Sequence, residues 1–147
     1  MTPAVKLLTL DEVHKISRRN RIFQRNTTYV MLVKAYYFYC GGRKQKIPAG
    51  FLSDGASIPR IFWRILDPPI TAGTLIASLK HDFVYQTACT SRKKADRMFW
   101  KDMKRAGYPR WKAFLHYSAV RIFGWIPWKK WRTLHAEKRN HMHRHHA

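Results

Sequence analysis

The hydrophobic and polar positions change rhythm once along the chain. From Thr27 to Cys40 aromatic and β-branched residues crowd together, the make-up of a strand buried on most of both faces. Gly41-Gly42 then predicts a hairpin turn, because glycine tolerates the positive φ that two-residue hairpins demand. The partner strand is expected over Arg43 to Phe51, with Pro48 marking an edge or its end. A loop from Leu52 to Pro59 follows and carries Asp54-Gly55-Ala56-Ser57. Beyond residue 60 the spacing becomes helical. Thr71 to Gln86 sets Leu75, Leu79 and Phe83, with Ile76 beside them, at intervals that make one apolar face. Thr87 to Ser91 is a polar break, and Ser91 suits the N-cap of a second helix, Arg92 to Arg105. That helix should stop at Ala106-Gly107, with Pro109 beyond. A third, Arg110 to about Phe123, carries Phe114, Tyr117, Val120 and Ile122. The predicted fold class is α+β: an N-terminal β-hairpin or small sheet, then an antiparallel helical hairpin and further C-terminal helices.

Length and composition narrow this picture. At 147 residues, 46% of them hydrophobic and 14% aromatic, the chain has the size and core material of one domain and is not wholesale disordered. That domain is expected over residues 1–128. The remainder, 129–147, is a basic, His-rich tail, either a solvated helix end or an extension ordered only by a partner. No internal repeat is visible. Apolar stretches are interrupted by Arg or Lys well before the roughly 20 residues of a membrane-spanning helix, and no signal peptide is read at the N-terminus. Cys40 and Cys89 are too few for a disulfide framework and match no zinc spacing, so two buried thiols are expected.

Charge changes the picture most. Lys and Arg number 29 against eight Asp and Glu, a formal +21, and such self-repulsion is relieved beside something negative: nucleic acid, anionic lipid or an acidic protein. Trp111, Trp125, Trp128 and Trp131 are interleaved with Lys112, Arg121, Lys129, Lys130 and Arg132. Indoles beside cations suit a membrane interface, and the same mixture could stack on single-stranded bases or simply complete a core with the cations snorkelling past it.

Carboxylates are scarce enough that each needs a reason. If the first two helices form a hairpin about residue 88.5, His81 and Asp96 lie at equal distances from its centre and should face each other. A carboxylate on one imidazole nitrogen fixes the other as a proton acceptor, the arrangement of a general base acting on water. Asp82, about 100° round the helix, could hold a cation beside that base. Tyr85, four residues after His81, shares its face and can donate a hydroxyl. The alternative is a structural network, a buried His81 bonded to Asp96 with Asp82 paired to a base. Asp54 is equally suited to a loop cap and to a ligand.

His81-Asp82-Phe83-Val84-Tyr85, followed by Arg92 and Asp96, resembles the His-Asp-x-x-Tyr helix pair of secreted and bacterial phospholipases A2. The resemblance implies that His81 activates water and Asp96 orients it, with Tyr85 in support. It also implies that Asp82 binds calcium with carbonyls of a Gly-containing loop, here Asp54-Gly55. The family's disulfides and its usual Gly-rich calcium loop are absent. A longer resemblance rests on Ile47-Pro48-Ala49-Gly50-Phe51, Asp54-Gly55-Ala56-Ser57-Ile58-Pro59, His81-Asp82, Tyr85, Arg92, Ala95-Asp96, Ala119-Val120-Arg121 and Phe123-Gly124. Together these are similar to a family of tailed phages and prophages, the domain of unknown function 1353, which implies a phage origin.

The expected function is a virion- or lysis-associated protein with a phospholipase A2-like site. It would hydrolyse or bind membrane lipid, if catalytic as a calcium-dependent lipid ester hydrolase, in a virion or an infected bacterial host. Anionic membrane lipid or other virion proteins are the expected partners, with nucleic acid possible. The other reading is a non-catalytic basic virion or assembly component that binds DNA or acidic proteins.

Overall fold

A computed structural model describes residues 4–9, 12, 29–53, 71 and 73–145, with side chains as far as residue 137. In chain order they form strands β1 (Val5–Leu7), β2 (Val30–Leu32), β3 (Tyr36–Cys40), β4 (Arg43–Ile47) and β5 (Leu52–Ser53). Helices α1 (Leu75–Thr87), α2 (Arg92–Arg105), α3 (Arg110–Phe123) and α4 (Trp125–His145) follow, so the fold is α+β. β1, β2 and β5 make an antiparallel sheet in the order β1-β2-β5, and β3 and β4 a separate hairpin.

The expected single strand from Thr27 to Cys40 is two. A bend at Val33 and Lys34 divides it, because β2 must pair with β1 and β5 while β3 pairs with β4 in another sheet. Nor is it buried on both faces throughout: in β3, Phe38 and Cys40 are buried while Tyr37 and Tyr39 are exposed. The hairpin turn is at Gly41-Gly42, with φ of +61° and +78°, the conformation that favours glycine at both central positions. A side chain at Gly41 would also stand 2.6 Å from the Cys89 carbonyl, so the turn packs closely on the α1–α2 connection. The second strand stops at Ile47, ahead of Pro48, and does not run on to Phe51.

α1 starts at Leu75 because Thr71 and Thr74 form their own turn, with the Thr71 amide donating to Thr74 Oγ1 at 3.0 Å. The helix is buried around most of its circumference, through Ala77, Ser78, Leu79 and every residue from His81 to Tyr85. It ends at Ala88, left-handed at φ +50°. Ser91 caps α2, accepting from the Lys94 amide at 3.4 Å, and Gly107 at φ +77° stops it. One core cluster joins β2 and the hairpin to α1 and α2 through Leu32, Phe38, Ile47, Leu79, Phe83 and Ala95. Another joins α1, α2 and α3 through Ala77, Phe99, Met103, Ala113 and Val120. Burial, helped by the neighbouring Cys89 thiol, pushes the Cys40 thiol up to about 12, so it stays protonated near neutrality.

α4 runs without interruption through residues 128 and 129, and Pro127 is tolerated because it lies in the first turn. Arg132 donates to the carbonyls of Tyr85 and Gln86 at 2.7 and 2.8 Å, and His135 Nε2 meets the Gln86 carbonyl at 2.7 Å. These side chains satisfy the open C-terminal end of α1. No helix among the described residues is long and apolar enough to cross a membrane.

Candidate active site

A helix buried on nearly all sides has no solvent for its polar residues, so the His-Asp pair of α1 must find partners inside the protein. α2 supplies one. Its outer surface is studded with Lys and Arg, but Ala95, Asp96, Phe99 and Met103 recur at helical spacing on its buried face. Asp96 is the carboxylate on that face, with no exposed surface.

His81 Nε2 lies 2.9 Å from Asp96 Oδ1, and the Tyr85 hydroxyl donates to the same oxygen at 2.6 Å. The other carboxylate oxygen accepts from Arg121 at 2.8 Å and lies 3.5 Å from Arg92 Nη1. Arg92 also donates to the Arg121 carbonyl at 3.2 Å, closing the end of α3 over the cluster. Two guanidinium groups, those of Arg121 and Arg92, thus face the single carboxylate of Asp96.

The second ring nitrogen of His81, Nδ1, is buried without a hydrogen-bond partner among the described residues. Asp82 Oδ1 is 4.0 Å from it, too far for a direct bond. Asp82 is 9% exposed and its Oδ2 accepts from Ser53 Oγ at the end of β5. The Asp-Gly loop of the sequence begins at the next residue. Asp54 and Gly55 lie outside the described residues.

Burial disfavours an imidazolium at His81, but Asp82 and Asp96 outweigh it and hold the group above the ordinary histidine range. At Asp96 burial pushes up, and the bonds from His81, Tyr85 and Arg121 outweigh it, leaving the carboxyl below the usual range. Burial and the adjacent Asp96 push the Tyr85 phenol up, so it remains a donor.

The two shifts act at opposite ends of the pH scale. The His81 contribution to stability is complete below its unfolded value of about 6.5 and is lost as pH rises through the higher folded value. The Asp96 contribution is present above about 3.9 and is lost as pH falls through the depressed folded value. Urea midpoints should therefore be highest at mildly acidic pH, and His81→Gln should flatten the alkaline limb while leaving the acid limb. An alkaline limb unchanged in that variant would show that His81 does not titrate as described.

The seven residues expected at a membrane or nucleic-acid surface do not share one face. Trp111, Trp125, Lys129 and Lys130 are exposed, and Trp131 is half-buried beside His135, the ring centroids 6.4 Å apart. Trp128 turns inward and packs edge-on against Tyr85 at 5.2 Å, while Arg132 caps α1. Sequence reasoning did not assign Arg121 or Ser53 to the cluster. Arg121 carried the signals of a motif residue and of a cation in the last turn of a helix, and Ser53 that of preceding an Asp-Gly loop. Gly124 was noted only within a motif. A methyl there would overlap the Tyr85 hydroxyl and the Val120 carbonyl, so its lack of a side chain seats Tyr85.

The described residues contain no group of three or more His, Cys, Asp or Glu that could hold a metal ion. Asp82 offers hard oxygen donors of the kind calcium takes, but calcium needs six to eight, and the rest would have to come from the loop after Ser53.

Comparison with known proteins places these residues in a family. An uncharacterized protein, y4jT, of Sinorhizobium fredii (strain NBRC 101917 / NGR234) is 39% identical over 83 residues, which is 56% of this chain. The chain spans about a quarter of that relative's length, 25%. No solved structure matches. Residues 31–120, more than half of the chain and including His81, Asp82, Tyr85, Arg92 and Asp96, match the family described as "Protein of unknown function (DUF1353)", and the chain belongs to that family.

Proposed function

We propose that the chain is a phage- or prophage-encoded hydrolase of lipid esters, with His81 as its general base. The observation that carries this reading is Nδ1 of His81. It is buried and without a hydrogen-bond partner among the described residues, on a ring whose other nitrogen is tied to Asp96. Leaving a buried polar atom unpaired costs about 1–3 kcal/mol, a cost that a reacting water would remove. With His81 neutral, above its raised titration range, and Asp96 accepting from Nε2–H, Nδ1 takes a proton from water and the resulting hydroxide adds to the ester carbonyl carbon. The tetrahedral adduct breaks its bond to the alcohol oxygen, which leaves with the proton from Nδ1. Asp96, Tyr85 and Arg121 are positioning residues that hold the ring. A cation held by Asp82 with Asp54 and the Gly55 carbonyl, calcium in the phospholipase A2 resemblance, would supply Lewis-acid polarisation of the carbonyl.

The test is fatty-acid release from anionic phospholipid vesicles, with calcium or with chelator. Release is expected to fall about 10²–10⁴-fold in His81→Gln. Release by that variant at the wild-type rate would remove the proposal, and release insensitive to chelator would remove the calcium assignment.

The +21 charge favours a second reading, a non-catalytic virion or assembly component bound to DNA or acidic proteins. Retention of duplex DNA that weakens steeply with salt, together with no ester release, would select it.

A further inference from the structure

α3 is packed the wrong way round for a helix that meets only water on its outer side. It buries Ala113, His116, Ala119 and Val120, while Trp111, Leu115 and Ile122 are exposed by 58%, 38% and 61%. Trp125 and Ile126, opening α4, are each 54% exposed. Larger apolar residues normally turn inward, and a contiguous exposed set marks a contact surface. Positions 111, 115, 122, 125 and 126 follow the helical repeat along one side. The backbone ladder continues through the joint, with Gly124 N bonded to the Val120 carbonyl at 2.8 Å and Trp128 N to the Gly124 carbonyl at 3.1 Å, so the stripe is continuous.

Charge identifies the occupant. Lys112 lies 5.6 Å from the Trp111 ring, and exposed Lys129 and Lys130 border the far end. No Asp or Glu occurs between Asp102 and Glu137. A surface with an apolar middle, two interfacial indoles and cations at its rim, all without a carboxylate, complements an anionic bilayer. We propose that this face of α3 and the start of α4 docks on anionic phospholipid, with Trp111 and Trp125 at headgroup level, Ile122 and Ile126 deeper, and the lysines on phosphates. Docking does not depend on hydrolysis, since the stripe shares no residue with the His81 cluster.

The test is sedimentation of the full chain with phosphatidylcholine vesicles and with vesicles containing phosphatidylglycerol, at low and high salt. The wild type should partition onto the phosphatidylglycerol vesicles, with Trp emission moving to shorter wavelength. The Ile122→Ser/Trp125→Ser double variant, with its helix content checked by circular dichroism, should partition about tenfold less or weaker. Lys129→Gln should cost roughly fivefold, the worth of one cation near an anionic surface. Partition should be unchanged in His81→Gln, so failure of docking and failure of hydrolysis are read separately. Wild-type partition by the double variant would overturn the proposal. So would a dimer dispersed by that variant in a chain that ignores vesicles, or binding to duplex DNA alone.

Discussion

Asp96→Ala is expected to destabilise the chain by about 3–5 kcal/mol, the cost of breaking a buried ion pair by removing one partner. The carboxylate has no exposed surface and accepts from His81, Tyr85 and Arg121, groups carried by two other helices. Without it, buried His81 and part-buried Arg121 both lose the carboxylate that they face. Asp96→Asn tests whether charge or shape matters. Its amide oxygen can still accept from His81 and Tyr85, but its NH₂ then points its donors at the donors of Arg121. The amide variant should therefore recover only a minor part of the loss. Urea unfolding followed by helix signal measures both, and a loss below about 1 kcal/mol for Asp96→Ala would mean that packing alone holds the three helices together.

Gly124→Ala should destabilise by about 1–3 kcal/mol, the range for overpacking, although its φ of −65° is one alanine adopts freely. On propensity alone the change would stabilise a helix joint, so the sign is diagnostic. The new methyl would meet the Tyr85 hydroxyl and the Val120 carbonyl, pushing Tyr85 off Asp96. Tyr85→Phe removes the atom in the way, so the double variant should lose less than the sum of the singles. A coupling of about 0.5–3 kcal/mol in that cycle is expected, and strict additivity would separate the glycine from the His81 cluster.

Local chemistry made much of this fold legible. The limits of α2 and α3 follow from Ser91, Gly107 and Pro109, whose effects act within a few residues. The hairpin turn follows from two glycines that need positive φ. The break at Val33 and Lys34 was not legible, because nothing in an aromatic, β-branched run says which partner strand each half will choose. The uninterrupted α4 was hidden in the same way: its Lys, Arg and His residues show little amphipathic rhythm, and tertiary bonds to α1 help to hold it in place.

The facing of His81 and Asp96 could be read because both lie on one helical hairpin, where counting from the turn sets the register. Arg121 and Gly124 come from beyond α2. Their arrival at Asp96 and Tyr85 depends on the crossing of three helices, which no single periodicity encodes.

The grips on the helix ends have an evolutionary corollary. Arg132 and His135 hold α4 to carbonyl oxygens of Tyr85 and Gln86, and Arg92 reaches the carbonyl of Arg121. A carbonyl is the same whatever residue bears it. The side chain of Gln86 can therefore change without loosening its grip on α4, whereas Tyr85 and Arg121 are tied in through their side chains as well.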